Sequence, residues 1–399
     1  MSPTSNLQPL PLNPFEVDTL TYSAYDECFL LEQKTEWNEF ADDLGSDFFD
    51  SMMSEMTPVI VARVLGHALR LSPSPNDRGV LVREIMDCKA HPTDVHVSPE
   101  LFAGLAHLYI YGMMGVFYNP KGSTPLQSSQ SSFEDTPSHL LTPTLMTTQT
   151  LRQRTMLRDE NRCVFTGCLD TDIYISWPKS EQLAVLAMSE RSDVPIVAAT
   201  NVAHIISQSL SSNIGGMTQA AREKFAWAST AATVLEYFGG FSAYTILGED
   251  KLNSAANTFT AGADVHHMFD RLNLWLVPAQ DSHANTIAHT YVVCSPDPDY
   301  LRVFNIQNRV IFRSHTFHDD DGNTIVIPPP HPSLIALHAI CAQVAHISGA
   351  AEQLAELYPD SDLDPGPSVM TQPNASAKLV RKLKLLQLIP STGRCLQSK

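Results

Sequence analysis

Four side chains within residues 202–270 combine types and spacings that suit acid–base and metal chemistry. His204 ends a β-branched stretch that predicts a strand, and Asn257 follows after a long insert. His266 lies nine residues beyond Asn257, and Asp270 lies four residues beyond His266. Residues four apart share one face of a helix, so a helix here would bring His266 and Asp270 together. These residues can supply a general base, a loop-fixing amide and a pair of groups that face a metal ion.

The blocks around these residues resemble the HNH endonuclease family, in the form found in many fungal proteins. The resemblance rests on residues 158–167, 203–206 and 257–270, on their order, and on the nine-residue spacing from asparagine to histidine. It covers residues 147–278 and continues more loosely to about residue 355. It implies an α+β fold with a ββα-metal core, a large helical insert, an N-terminal helical subdomain and a C-terminal extension of strands and a helix.

The resemblance also implies a role for each side chain. His204 would be the general base, and Asn257 would hydrogen-bond across a hairpin and fix the loop that carries the base. His266 and Asp270 would bind the ion from the helix, and such a set with open positions suits Mg²⁺ or Mn²⁺. The family commonly has an Asp or a His directly before the catalytic histidine as a further ligand, whereas this chain has Ala203. The site would then have two protein ligands, completed by water and phosphate.

Hydrolysis of a phosphodiester is the reaction that these groups suit. Water must lose a proton near neutral pH, which a histidine with a pKa near 6.5 can accept. The phosphate charge must be neutralised and the leaving oxygen stabilised, which one divalent cation can do. The sequence therefore predicts a metal-dependent, endonuclease-like hydrolase. Two alternatives stay open: a catalytically degenerate HNH scaffold that acts as a binding protein, and a repurposed HNH-fold enzyme that acts on a small molecule, for example in secondary metabolism.

The net charge of the chain bears on its partner. Lys+Arg 26 against Asp+Glu 43 gives a formal charge of -17, which repels a polyanion, so contact with nucleic acid needs a local basic patch. A predicted helix over residues 148–158 carries Arg152, Arg154 and Arg158 as candidate phosphate contacts, with a solvated helix face as the alternative. A second basic segment covers residues 378–384. A nucleic acid or a small-molecule substrate is the expected partner, and a membrane is not.

The seven cysteines do not indicate a disulfide framework or a zinc site. Their count is odd and their spacing wide, which is typical of buried thiols. Cys163 and Cys168, in a predicted strand and turn over residues 162–167, are spaced C-x4-C, and the chain has no CxxC pair. A structural zinc needs four ligands, so none is expected here.

Composition and periodicity divide the chain into six segments. These are a disordered N-terminus over residues 1–18, a helical subdomain over 25–117, a Pro/Ser/Thr-rich linker over 118–146, an HNH-like domain over 147–278, strands and a long helix packing on the core over 279–358, and a flexible tail over 359–399. Within the HNH-like domain, residues 210–250 are expected to be an elaboration on the motif.

Helix signals are clearest in the second and fifth segments. Thr57 followed by Pro58, and Ser98 followed by Pro99, are typical of helix starts. One long helix is predicted over residues 333–358, after a run of prolines. The N-terminus lacks a basic start and an apolar run, and no stretch reaches the ~18 apolar residues of a membrane span. The expected location is therefore intracellular, nuclear or cytoplasmic, and the oligomeric state stays open.

Overall fold

Helices make up both ends of the described chain, and short strands lie between them. The computed structural model describes residues 7–37, 56–89, 95–118, 148–189, 196–207, 235–236, 238–239, 252–318 and 322–357. The helices are α1 Leu20–Glu32, α2 Pro58–Leu71, α3 Pro75–Asp87, α4 Pro99–Tyr109, α5 Thr148–Arg158, α6 Thr171–Ser176, α7 Lys179–Ser189, α8 Ala263–Asp270, α9 Pro298–Val303, α10 Pro332–Ser348 and α11 Ala350–Leu357. The strands are β1 Leu169–Asp170, β2 Val197–Ala198, β3 Thr200–His204, β4 Thr258–Gly262, β5 Trp275–Gln280, β6 Thr286–Cys294, β7 Arg309–Ile311, β8 His315–His318 and β9 Thr324–Ile327. This mixture confirms the α+β class.

The described residues form two compact units. Unit 1 contains the described residues up to 118, those within 235–239, and those from 340 onwards. Unit 2 contains the described residues within 148–207 and 252–339. Nearly all of the predicted linker and the whole predicted tail, including the basic segment 378–384, lie outside the described residues. The few described residues of the insert, 235–239, belong to unit 1.

Local capping signals explain where the unit 1 helices begin. The Thr57 hydroxyl accepts a hydrogen bond from the Ile60 amide, and Pro58 occupies the first turn, as predicted. Pro99 likewise starts α4, which continues through a π-helical segment, Ile110–Met114, to Phe117. Although no membrane-length apolar stretch was expected, the helix Pro99–Phe117 has the length and mean hydropathy, 1.3, of one. Its window is 94% buried inside the protein, which is typical of a core helix.

Residues 7–18 are ordered, so the expected disorder is wrong for them. Leu10 is 4% exposed, and its amide donates to the Glu32 carboxylate at 3.0 and 3.1 Å. The Leu10 side chain fills the space above Gly66, where a Cβ would lie 2.6 Å from Leu10 Cδ2. Proline and asparagine content suggested disorder, but a few well-placed apolar contacts hold this extended segment in place.

The predicted single helix over residues 333–358 is two helices, α10 and α11. Gly349 separates them with a φ of +92°, a conformation that glycine adopts at helix C-termini. A Cβ at Gly349 would also lie 3.1 Å from Leu7 Cδ2, so the close approach of the N-terminal segment favours glycine there.

A strand pair followed directly by a helix organises unit 2. Strands β3 and β4 are antiparallel, with Thr200 opposite Gly262 and His204 opposite Thr258. Helix α8 begins at the residue after Gly262. The other sheets are the parallel pair β1–β2, the three-stranded antiparallel sheet β5-β6-β7 and the hairpin β8–β9.

Aromatic side chains join the helix to the strand pair. The ring centroids of Phe259 on β4 and Phe269 on α8 are 4.9 Å apart in an edge arrangement, and Phe165 and Phe312 pack against Phe259. His338 of α10 stacks on Phe269 at 3.8 Å with parallel rings, and its Nε2 lies 3.3 Å from the Phe269 carbonyl oxygen. Edge-to-face and stacked pairs of this kind contribute about 0.5–1.5 kcal/mol each beyond area burial. The orientation of α8 is therefore set by its packing.

The segment over residues 162–167 is a turn rather than a strand. Arg162 forms an isolated bridge with Leu169, and the turn is closed by the Gly167 amide donating to the Cys163 carbonyl at 2.8 Å. Gly167 has a φ of +74°. The Val164 amide donates to the Thr260 carbonyl at 2.9 Å, which attaches the turn to β4.

A half-buried acid in unit 1, Glu84 of α3, should make stability depend on pH. The Tyr109 hydroxyl donates to Glu84 Oε2 at 2.6 Å, and burial raises the pKa of Glu84 from 4.5 to about 7, against the smaller lowering by Tyr109. Between those two pH values the folded state holds a proton that the unfolded state has lost, so the free energy of unfolding should fall as pH rises from 4.5 to 7.

The variant Glu84→Gln tests this dependence, because glutamine keeps the acceptor for Tyr109 and cannot titrate. Thermal unfolding at a series of pH values should show that wild type loses stability relative to the variant between pH 5 and about 7.5. Parallel curves for the two proteins would contradict the prediction.

Candidate active site

His204 lies at the end of β3 and presents a buried ring nitrogen. Its Nε2 is buried without a hydrogen-bond partner among the residues that the structure describes. Burial lowers the pKa of His204 to about 4, and a hydrogen bond with the Asn253 side chain opposes this shift. The imidazole is therefore neutral at physiological pH, which is the form that can accept a proton.

Asn257 joins the end of β3 to the turn before β4. Its side-chain oxygen accepts from the Ile206 amide at 2.9 Å, and its Nδ2 donates to the Ile206 carbonyl at 3.0 Å and to the Leu252 carbonyl at 2.9 Å. Its own carbonyl accepts from the Ile205 amide at 2.8 Å. The side chain is 1% exposed, so losing these bonds would leave buried backbone groups unpaired. The structure thus fixes the residues that follow His204, while a catalytic role for Asn257 stays a prediction.

His266 and Asp270 meet on one face of α8. They are 5% and 3% exposed, and His266 Nε2 lies 3.2 Å from Asp270 Oδ2. Asp270 Oδ2 nevertheless makes no hydrogen bond to another described residue. The two side chains are therefore in close contact without forming a hydrogen-bonded ion pair.

Burial makes both members of this pair favour their neutral forms. Burial lowers the pKa of His266 to about 4, and the nearby imidazoles of His204 and His267 lower it further. Burial raises the pKa of Asp270 well above its usual value. A buried carboxyl group without a partner is costly, and a cation beside it would offset that cost.

The pair passes a simple test of fit for a divalent cation. Two ligands at right angles on Mg²⁺, with bonds of about 2.1 Å, lie about 3.0 Å apart, close to the observed separation of His266 Nε2 and Asp270 Oδ2. Ala203 is fully buried and has no ligating atom. Within the described ranges, no group of three or more His, Cys, Asp or Glu side chains could hold a metal ion. The protein could therefore contribute two ligands, and water and substrate oxygens would have to supply the rest.

Two of the three candidate phosphate contacts lie part-buried on α5. The Arg152 Nη1 donates to the Thr200 carbonyl at 3.0 Å, and its Nη2 lies 3.5 Å from Asp170 and 3.7 Å from Asp172. Arg154 is half-buried. A phosphate role for these two arginines stays a prediction.

Arg158 has a structural role in place of the expected phosphate contact. Its Nε and Nη2 donate to the two Asp159 carboxylate oxygens at 2.8 and 3.0 Å. Nη1 donates to the carbonyls of Ala255 and Pro328 at 2.6 and 3.1 Å, and Nη2 donates to that of Thr258 at 2.7 Å. These five bonds use all five N–H groups of a guanidinium. A phosphate could bind Arg158 only if some of them broke, so we retain no phosphate role for it.

Sequence reasoning missed two residues that support the site. Asp159 pairs with Arg158, and its Oδ2 also accepts from the Thr260 amide of β4 at 2.7 Å. Asn253 hydrogen-bonds to His204. Asp159 lies within the block that resembles the family, so adjacent opposite charges before a predicted strand were an available signal. Asn253 precedes Asn257 by four residues, a spacing that carries no signal outside a helix.

The cysteines of the C-x4-C spacing are part of the packed turn. Cys163 and Cys168 are 1% and 7% exposed thiols, and the Cys163 amide donates to the Cys168 carbonyl at 2.9 Å. Backbone hydrogen bonds therefore close this turn. The expectation that no structural zinc binds stays a prediction.

Comparison with known families agrees with this geometry. Residues 163–277 match the model of a family described as HNH endonuclease. The matched segment contains His204, Asn257, His266 and Asp270, so the predicted resemblance is confirmed and the chain carries an HNH endonuclease domain there. Comparisons with curated proteins and with solved structures gave no match.

Replacing Arg158 should destabilise unit 2 strongly. Arg158→Ala would leave the buried Asp159 carboxylate and three backbone carbonyls without their donor, and breaking a buried pair in this way costs about 3–5 kcal/mol. Urea denaturation would measure the loss in the free energy of unfolding. The exposed Arg83→Ala is the matched control and should change it by less than about 0.5 kcal/mol. Equal effects of the two substitutions would show that the Arg158 hydrogen bonds contribute little.

Proposed function

We propose that unit 2 hydrolyses phosphodiester bonds of nucleic acid with the help of a divalent cation. His204 would be the general base, Asn257 would fix the residues beside it, and His266 and Asp270 would hold the cation. The observation that supports this most directly is the pair of buried polar atoms without partners, His204 Nε2 and Asp270 Oδ2, within the segment that matches the HNH endonuclease family.

Each of these side chains would have a separate role in the reaction. The neutral His204 ring accepts a proton from water through its unpartnered Nε2 while its hydrogen bond with Asn253 holds the ring. The three side-chain hydrogen bonds of Asn257 keep the backbone after His204 from shifting. The aromatic packing of Phe269 keeps α8, and with it His266 and Asp270, in a fixed orientation. A bound Mg²⁺ or Mn²⁺ would neutralise the phosphate charge and stabilise the leaving oxygen.

Plasmid nicking tests this proposal. Wild-type protein with Mg²⁺ or Mn²⁺ should convert supercoiled DNA to the nicked form, and chelation should stop the reaction. His204→Ala should lower the rate by about 10²–10⁴-fold, as expected for the loss of a general base. His283→Ala, which removes an exposed histidine of the same unit, is the matched control and should retain the wild-type rate.

A second arm tests the α8 pair. Asp270→Asn keeps the shape of the side chain and removes its charge, so the metal concentration needed for half-maximal nicking should rise about 10-fold or more. Isothermal titration with Mn²⁺ should show the same weakening without any substrate. Nicking that is independent of both His204 and Asp270 would argue against this site.

The alternative of a non-catalytic HNH scaffold is favoured by one observation. Ala203 stands where the family commonly places a further ligand, and it is buried with no polar atom to offer. Absence of nicking with either metal, combined with unchanged folding, would support this alternative. The small-molecule alternative gains little from the cavity of about 160 Å³ in unit 2, because none of His204, Asn257, His266 or Asp270 lines it.

A further inference from the structure

We propose that unit 2 contacts a single nucleic-acid strand through an arginine face formed by α9, the loop after it, β7 and the residues directly after β7. We define the arginine face as Tyr300, Arg302, Phe304, Asn305, Arg309 and Arg313. The inference rests on the proposed function, since it names the surface by which the substrate would be held. It also answers the objection that a chain with a formal charge of -17 should repel a polyanion.

Exposed positive charge in unit 2 is concentrated on this face. Among the described residues of unit 2, four Lys or Arg side chains are in the exposed class: Lys179, Arg302, Arg309 and Arg313. Three of these four lie within twelve residues, and no Asp or Glu occurs between residues 300 and 318. Arg302 has a side chain that is 81% exposed, and it forms an ion pair at 3.2 Å with Asp299, whose side chain is itself 68% exposed. An exposed pair of this kind is weak, so Arg302 can still attract a phosphate.

The strand geometry points two of the arginines to the same side. Arg309, Ile311 and Arg313 are exposed, and Val310 and Phe312 between them are buried. This alternation places Arg309 and Arg313 on one outward surface, separated by about 13 Å along an extended chain. Strand β7 is at the edge of the sheet β5-β6-β7, and both arginine side chains are exposed.

Aromatic and amide groups accompany the charge. The rings of Tyr300 and Phe304 are each 37% exposed and pack edge to face at 6.4 Å. Phe304 is followed by Asn305, and Asn305 lines the cavity of about 160 Å³ together with Arg162 and Thr166. Partly exposed rings beside arginines are the arrangement that stacks unpaired bases while the backbone is held by charge. This favours a single strand over a duplex, whose bases are already stacked.

The arginine face is attached to the segment that matches the HNH endonuclease family. The Gln307 amide donates to the Phe165 carbonyl at 2.8 Å, and the Val293 amide donates to the Asn308 carbonyl at 3.0 Å. Both bonds restrain the loop between α9 and β7. Buried Phe312 packs on Phe259 of β4 at 6.1 Å. The surface is therefore held rigidly on the unit that contains the candidate active site.

The alternative interpretation is that the positive charges of Arg309 and Arg313 only prevent β7 from pairing with the edge strand of another molecule. That role predicts self-association when the arginines are removed and no change in nucleic-acid binding. The two interpretations can therefore be distinguished by measuring nucleic-acid binding and self-association of the variants.

Fluorescence anisotropy with a labelled 20-nucleotide single-stranded DNA tests the proposal. All variants are made in the His204→Ala protein so that the probe is not cleaved. The double substitution Arg309→Gln with Arg313→Gln should weaken binding about 10-fold or more at 0.1 M salt. The negative slope of the logarithm of the association constant against the logarithm of the salt concentration should become less steep by about 1.4. The matched control, Arg83→Gln with Lys179→Gln, removes the same charge from exposed positions elsewhere and should change neither quantity.

Phe304→Ala adds a test of stacking. It should weaken binding of the single strand about 10-fold and leave the much weaker binding of a duplex of the same length unchanged. The inference is overturned if the Arg309/Arg313 variant binds the strand as its control does, or if its only change is self-association. It is also overturned if the His204→Ala protein binds a duplex more tightly than the strand, or binds no strand. Nicking by the wild type is measured separately, so the proposed function can fail while the arginine face stands, and the reverse.

Discussion

The buried contact between Arg158 and Asp159 is the constraint on which unit 2 depends. One guanidinium satisfies a neighbouring carboxylate and three backbone carbonyls, from the turn before β4, from β4 itself and from the residue after β9. Asp159 extends the contact to the Thr260 amide. Because charge-assisted bonds of fixed geometry are strong in a low-dielectric interior, this network sets where β4 lies relative to α5. The strand pair and α8 are then positioned from β4.

The candidate site buries two polar atoms that have no hydrogen-bond partner among the described residues, His204 Nε2 and Asp270 Oδ2. Burial favours the neutral forms of His204, His266 and Asp270, and the Asn257 amide binds the backbone of Ile206, two residues after His204. Surrounding structure has to maintain such an arrangement, since each buried polar atom without a partner lowers stability. The aromatic cluster of Phe165, Phe259, Phe269 and Phe312 provides that support.

Short-range patterns in the sequence predicted where some helices begin, but they did not predict which distant residues a side chain contacts. Thr57 with Pro58 marked a helix start because capping depends on a few adjacent residues. The strand–helix unit was expected because residues 257–270 resemble the HNH endonuclease family, and this block is continuous in the sequence. The adjacent Asp159 could be read from the sequence, but the three backbone carbonyls that bind Arg158 lie 97 to 170 residues away, and no local pattern reports them. Leu10 was missed because composition says nothing about the gap above Gly66 that it fills.

The bond from Arg158 to the Pro328 carbonyl spans 170 residues and has a consequence for biosynthesis. During translation the guanidinium emerges from the ribosome long before its last acceptor does, so the HNH core cannot be completed as soon as its own motif has been made. A chain cut after residue 278 would keep every motif residue and still lack that acceptor. The nascent polypeptide must therefore hold Arg158 incompletely paired through much of its elongation, which makes late-arriving residues around β9 part of the folding of the site.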